Sequence, residues 1–151
     1  MIILNLILAS SLLVGEPGKN MTGVWNWHSD PNGLEEVPEE SFTLHLLAKG
    51  TEIRGSACFI YNYGSRIDCP VDECNVTGTM DELGVARIVV HSEYFDTNET
   101  GTLTHEDGIL SWSSKSFGPA YRESVALRRR ASSPRKDLQK LCSSTRKANG
   151  H

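Results

Sequence analysis

His28 and Asp30 stand two residues apart, a spacing at which a carboxylate can orient an imidazole for general-base work. That chemistry also needs a nucleophile or an activated water, and the sequence identifies none. The other histidines, His45, His91, His105 and His151, fall in separate segments without HxH or HExxH spacing. Glu35, Glu36, Glu39 and Glu40 resemble the paired acids of glycoside hydrolysis only in residue type. Such pairs need a fixed separation across a cleft and one carboxyl held protonated. Crowded among Pro31, Asn32, Gly33 and Pro38, these four read instead as an acidic loop for solubility or docking. Asp72-Glu73 matches no EF-hand loop, whose ligands alternate and end in a glutamate at position 12. Cys69-x4-Cys74 lacks both the short Cys-x2-Cys knuckle and a partnering Cys/His pair, which argues against zinc. No catalytic residue, metal ligand or cofactor emerges, and the chain reads as a binding protein without enzymatic chemistry.

Binding chemistry is carried best by the tryptophans. Trp25 and Trp27 are two apart, so on a strand they share one face. With Trp112 they are the candidate ligand-binding set, an aromatic wall for a small apolar or amphipathic molecule. The competing reading is that they fill a core. The alternative partner is an exported protein, for example a hydrolase inhibited by this chain, with the Asp30–Glu40 loop as the contact.

Elements that would position these residues follow from the punctuation of the chain. Gly, Asn, Asp or Pro recur every eight to fifteen residues, and short runs of alternating polarity lie between them. The predicted strands are 22–28, 41–49, 52–61, 66–69, 75–80, 85–92, 100–106, 109–115 and 122–127. Phe42, Leu44 and Leu46 share one face while Thr43 and His45 take the other. Glu106-Asp107-Gly108 is a hairpin signal, and Lys49-Gly50 and Leu83-Gly84 are weaker ones. Gly55 inside a strand predicts a bulge or bend. No segment of the domain sustains apolar residues at helical spacing. The expected fold is all-β, an antiparallel up-and-down meander closing into a small barrel of about eight strands. Closure also removes exposed strand edges.

The chain has 151 residues, and 21–127 form the expected single domain. Residues 1–15 read as a signal peptide, because Ile2–Val14 is uncharged but shorter than the ~20 residues of a membrane span. A buried first strand is the alternative, since no Lys or Arg precedes the run. Secreted or periplasmic placement, without membrane insertion once the leader is removed, is the expectation. Charge divides unevenly: 21–127 holds 6 Lys or Arg against 17 Asp or Glu, and 128–151 holds 8 against 1. An acidic domain does not suit nucleic acid. The basic segment 128–151 is expected to be a solvated, disordered tail, dispensable beyond about Arg130, with at most a transient helical turn at Asp137–Cys142.

Cys58 and Cys69 are equidistant from the Tyr63-Gly64 bond, so a hairpin centred there sets them face to face at bridging distance. A four-residue loop, Asn62–Ser65, with Gly64 at positive φ is expected. Ile60 and Ile67 would share the cysteines' face, and Tyr61 and Arg66 the other. Cys74 and Cys142 would stay free or loosely paired, although four cysteines allow three pairings. Asn-x-Thr sequons at Asn20, Asn75 and Asn98 could carry glycans in a eukaryotic secretory route.

Met21-Thr22-Gly23-Val24-Trp25 resembles the opening of avidins and lipocalins, the calycin-like barrels. The Gly-x-Trp motif and the strand pattern that follows carry the resemblance, which implies an eight-stranded up-and-down barrel with a ligand cavity. The avidin family's later tryptophans and polar ligand set have no defensible counterparts, and Trp112 is a loose one. The layout of Gly-x-Trp-x-Trp followed by a cysteine-paired hairpin also looks like uncharacterised small secreted bacterial proteins.

Overall fold

A computed structural model describes residues 21–30, 32, 37–70, 73–114, 124–134 and 136–148. The leader expected at 1–15 lies outside the described residues. Nine strands follow in order: β1 Gly23–His28, β2 Ser41–Lys49, β3 Glu52–Tyr61, β4 Arg66–Asp68, β5 Val76–Met80, β6 Ala86–Ser92, β7 Thr97–Glu106, β8 Ile109–Ser114 and β9 Ser124–Arg129. One helix, α1 (Leu138–Ala148), comes last.

Eight strands close an antiparallel up-and-down barrel. Each of β1, β2, β3, β5, β6, β7, β8 and β9 pairs with its successor, and β9 returns to β1. The remaining strand, β4, folds back on the end of β3 as a hairpin that projects from the wall. Tight turns make this order possible. Asp107 and Gly108 hold φ of 50° and 77° in the two-residue β7–β8 turn, the left-handed pair such hairpins require.

Alternation decides what lies inside. In β2, Phe42, Leu44 and Leu46 face the axis, opposite Trp27, Trp25 and Gly23 of β1 and Phe59, Ala57 and Gly55 of β3. Ile53, Val76, Ile88, Val90, Leu103, Leu110, Trp112 and Leu127 complete a single core. Trp25 is 0% exposed and Trp112 1% exposed. An eight-stranded barrel is just wide enough for side chains to fill, and large rings need room. Gly101 provides it: a Cβ there would stand 2.5 Å from the Trp112 ring.

Gly55 marks a close approach, with a Cβ falling 2.2 Å from the His45 carbonyl oxygen; the β2 ladder runs through it without a bulge and the β5 ladder ends at it. Between the β5 and β4 contacts of β3, the Asn75 side chain replaces a missing rung. Its Oδ1 accepts from Ala57 N at 2.7 Å, and its Nδ2 donates to Ala57 O at 3.3 Å and His91 O at 2.9 Å.

The C-terminal segment differs from its expectation. Strand β9 continues to Arg129, and residues 138–148 form a helix docked on the barrel's outside. Cys142 is bonded to Cys74, so neither is free or loosely paired. Leu138 and Cys142 are buried against Cys74 and Leu47, and Arg54 Nη1 donates to Cys142 O at 3.1 Å. Composition alone predicted disorder because a polar, basic segment buries little of itself. It overlooked that one leucine and one cysteine, four residues apart on a helix, present a single apolar face.

Candidate functional site

One end of the barrel differs chemically from the other. Register carries a ring across four strands at this end: Trp27 opposite Phe42, Phe42 opposite Phe59, and Phe59 opposite Asp68. Phe42 and Phe59 stack at 4.0 Å between centroids, Tyr61 stacks beyond Phe59 at 6.1 Å, and Trp112 meets Phe42 edge-on at 6.1 Å. Half the ring is therefore aromatic.

The other half is polar. Asp68, Ser92, Glu99 and Ser114 are all buried. Ser92 donates to Asp68 Oδ2 at 2.6 Å, and Ser114 donates to Thr100 O at 2.9 Å. Glu99 sits opposite Val90 on the inner face of β7. Burying carboxylates costs stability unless their environment satisfies them, so this end is not simply an apolar plug. Trp112 adds a second sign: its buried Nε1 donates to no acceptor among the described residues.

Above the ring stands a rim with exposed apolar side chains. The β3–β4 hairpin is stapled by Cys58–Cys69, with Cα atoms 4.2 Å apart, as its symmetry predicts. Asn62–Ser65 forms the four-residue turn, and Gly64 takes φ 84°. Tyr63 at the turn and Ile67 on the cysteines' face are each 56% exposed. Tyr63 N donates to Glu39 O at 3.2 Å, and Val37 lies beside Gly64. Phe95, from the β6–β7 turn, shares a small cleft with Tyr61, Asn62, Arg66, Glu39 and Glu40. Its neighbour Tyr94 is exposed and packs on it at 4.7 Å. Val37, Tyr63, Ile67 and Tyr94 thus emerge at the same end of the barrel.

The three candidate tryptophans occupy different places. Trp25 lies in mid-barrel, its Nε1 donating to Met21 O at 2.8 Å and its ring 5.2 Å from His105. Trp27 is half-buried at the aromatic half-ring, and Trp112 is buried beside Phe42. Trp27 and Trp112 share the polar–aromatic end, whereas Trp25 is tied to Met21, just ahead of β1.

Residues considered for chemistry are dispersed. Asp30 accepts from Asn32 N at 3.2 Å in a local turn. Asn98 Oδ1 lies 3.1 Å from His91 Nδ1. Glu35, Glu36, Asp72 and His151 lie outside the described residues. Among the described residues no three His, Cys, Asp or Glu side chains gather as metal ligands, and no helix is long and apolar enough to cross a membrane. Two disulfides suit an oxidising compartment, the extracellular space or the periplasm.

Sequence reasoning did not find Asp68, Glu99 or Tyr61. Parity held the signal for Glu99, which shares the face of Gly101, Leu103 and His105. The predicted strand began at Thr100 and left it out. In comparisons with known proteins, the chain matches no family model, no curated protein and no solved structure.

Proposed function

We propose that this chain is an exported, non-enzymatic binding protein that recognises another exported protein with the rim of its barrel. The observation that carries this reading is the stapled hairpin, which holds Tyr63 and Ile67 exposed at the end of the barrel where Val37 and Tyr94 are exposed too. Exposed apolar side chains gathered at one end of a chain favour a partner surface there, and tyrosine is a favoured interface anchor. A disulfide-fixed turn loses little conformational freedom on binding, which lowers the cost of association. An inhibitor of an exported hydrolase has these properties. The neighbouring Glu39 and Glu40 supply the polar margin that such an interface needs.

The test compares capture by immobilised wild type with capture by Tyr63→Ala/Ile67→Ala, using exported proteins of the producing organism. The expected result is a protein that wild type holds at least tenfold more tightly, since two central anchors each contribute about 1–2 kcal/mol. Equal capture by both proteins would refute the rim as the contact.

A second reading, binding of a small amphipathic molecule within the barrel end, is favoured by the Trp112 indole N–H without an acceptor. A ligand carbonyl or hydroxyl would satisfy it. Mass spectrometry of the intact protein under non-denaturing conditions would reveal such a ligand. Trp112→Phe should then weaken it about 3- to 10-fold, the value of one hydrogen bond. Kinship with the calycin-like barrels belongs with this reading. It draws support from the eight-stranded up-and-down order and from Gly23-x-Trp25 opening β1.

A further inference from the structure

The barrel closes least completely between its first and last strands. β1 and β9 share two register pairs, Trp25 with Arg129 and Asn26 with Arg128, whereas β1 and β2 share six. On one side of those rungs Arg130 N still donates to Val24 O at 2.8 Å, whereas past Asn26 and Arg128 the ladder stops. A groove of about 410 Å³ opens there between the Trp27–Ser29 stretch of β1 and the end of β9. Arg128, Arg129 and Arg130 line it together with His28, Trp27 and Ile109, and among the described residues no carboxylate does.

That absence of acid is unusual in a barrel whose residues 21–127 carry 17 Asp or Glu against 6 Lys or Arg. Arg129 is already engaged, its Nη2 donating to Thr22 O at 2.7 Å and its guanidinium lying 5.6 Å from the Trp25 ring centre. The Arg128 and Arg130 side chains are exposed and have no ion-pair partner among the described residues. Two free guanidinium groups beside an indole and an aliphatic side chain form an anion site with an apolar flank. Guanidinium forks match the paired oxygens of carboxylate, phosphate and sulfate, and they stay charged at any physiological pH.

We infer that the β1–β9 groove binds a small organic oxyanion, a carboxylate or a phosphate or sulfate monoester, whose apolar body rests on Trp27 and Ile109. The groove's size favours a compact ligand, and the acidity of the remaining surface disfavours an extended polyanion. The site uses none of the rim residues and shares only Trp27 with the barrel end, so it stands apart from the first reading and is separated from the second by its arginines.

Titration of the full-length mature chain with phenyl phosphate, phenyl sulfate and benzoate, with benzyl alcohol as the neutral control, tests it. Tryptophan fluorescence or amide NMR shifts provide the readout. At least one anion should bind tenfold or more tightly than benzyl alcohol, weaken with added salt, and lose tenfold in Arg128→Gln/Arg130→Gln. Which of the three anions binds most tightly identifies the oxyanion. Ala126→Glu, which sets a carboxylate in the groove on an exposed position, should abolish binding without altering thermal stability. Tyr63→Ala/Ile67→Ala should leave the titration unchanged. Equal binding of the neutral control, wild-type binding by the double arginine variant, or no binding by any of the three anions would overturn the inference.

Discussion

Removing the C-terminal helix should destabilise the barrel substantially, although its composition is that of a dispensable tail. The Cys74–Cys142 bond closes a loop with a sequence separation of 68. In the chain-entropy model a loop of that length restricts the unfolded state by about 4 kcal/mol. Leu138, buried in the same small cluster, contributes about 2 kcal/mol through the apolar surface it covers. Deleting Ala131–His151 in a Cys74→Ser background removes both, a loss of about 6 kcal/mol. For a domain of this size each kcal/mol moves the Tm by about 4 °C, so calorimetry should show a fall of roughly 20 °C. The full-length Cys74→Ser/Cys142→Ser variant separates the two contributions, because it keeps Leu138 and should fall by about two-thirds as much. A truncated protein melting within about 3 °C of wild type would refute the reasoning. It would show that the helix only rests on the barrel without constraining it.

Three other outcomes follow from local features. Gly101→Ala places a methyl group 2.5 Å from the Trp112 ring, and overpacking of that kind should cost about 1–3 kcal/mol in urea unfolding and shift the near-ultraviolet circular dichroism of the indole. Cys58→Ser/Cys69→Ser opens a loop with a sequence separation of 11 and should cost about 3 kcal/mol; it should also raise hydrogen exchange at Asn62–Ser65 before the barrel strands respond. If the chain is made in a eukaryotic secretory route, peptide mass spectrometry of the folded product should find glycan at exposed Asn98 and none at Asn75. The Asn75 amide is committed to Ala57 O and His91 O, so a glycan there on properly folded molecules would contradict the rung it forms.

Much of this architecture was legible because it is local. Period-2 alternation is a property of neighbouring residues, and it located the strands to within three residues at their starts and two at their ends. Asp107-Gly108 and Gly64 declared their turns because few residues tolerate positive φ. The Cys58–Cys69 bond followed from hairpin symmetry, which needs no knowledge beyond the hairpin. Where partners are distant in sequence, the chain alone was silent. Cys74 and Cys142 meet across 68 residues because a helix with one apolar face finds the outside of β3, and nothing near either cysteine announces the other. Trp25 and Trp27 share a face in any strand. Only closure of the barrel sends Trp25 to the middle of the core and leaves Trp27 between an aromatic half-ring and the open β1–β9 seam. Asp68, Ser92 and Glu99 likewise become one polar wall through the shear of the strands, which is a property of the closed sheet. Local pattern determines which residues point inward, and tertiary closure determines which inward residues meet.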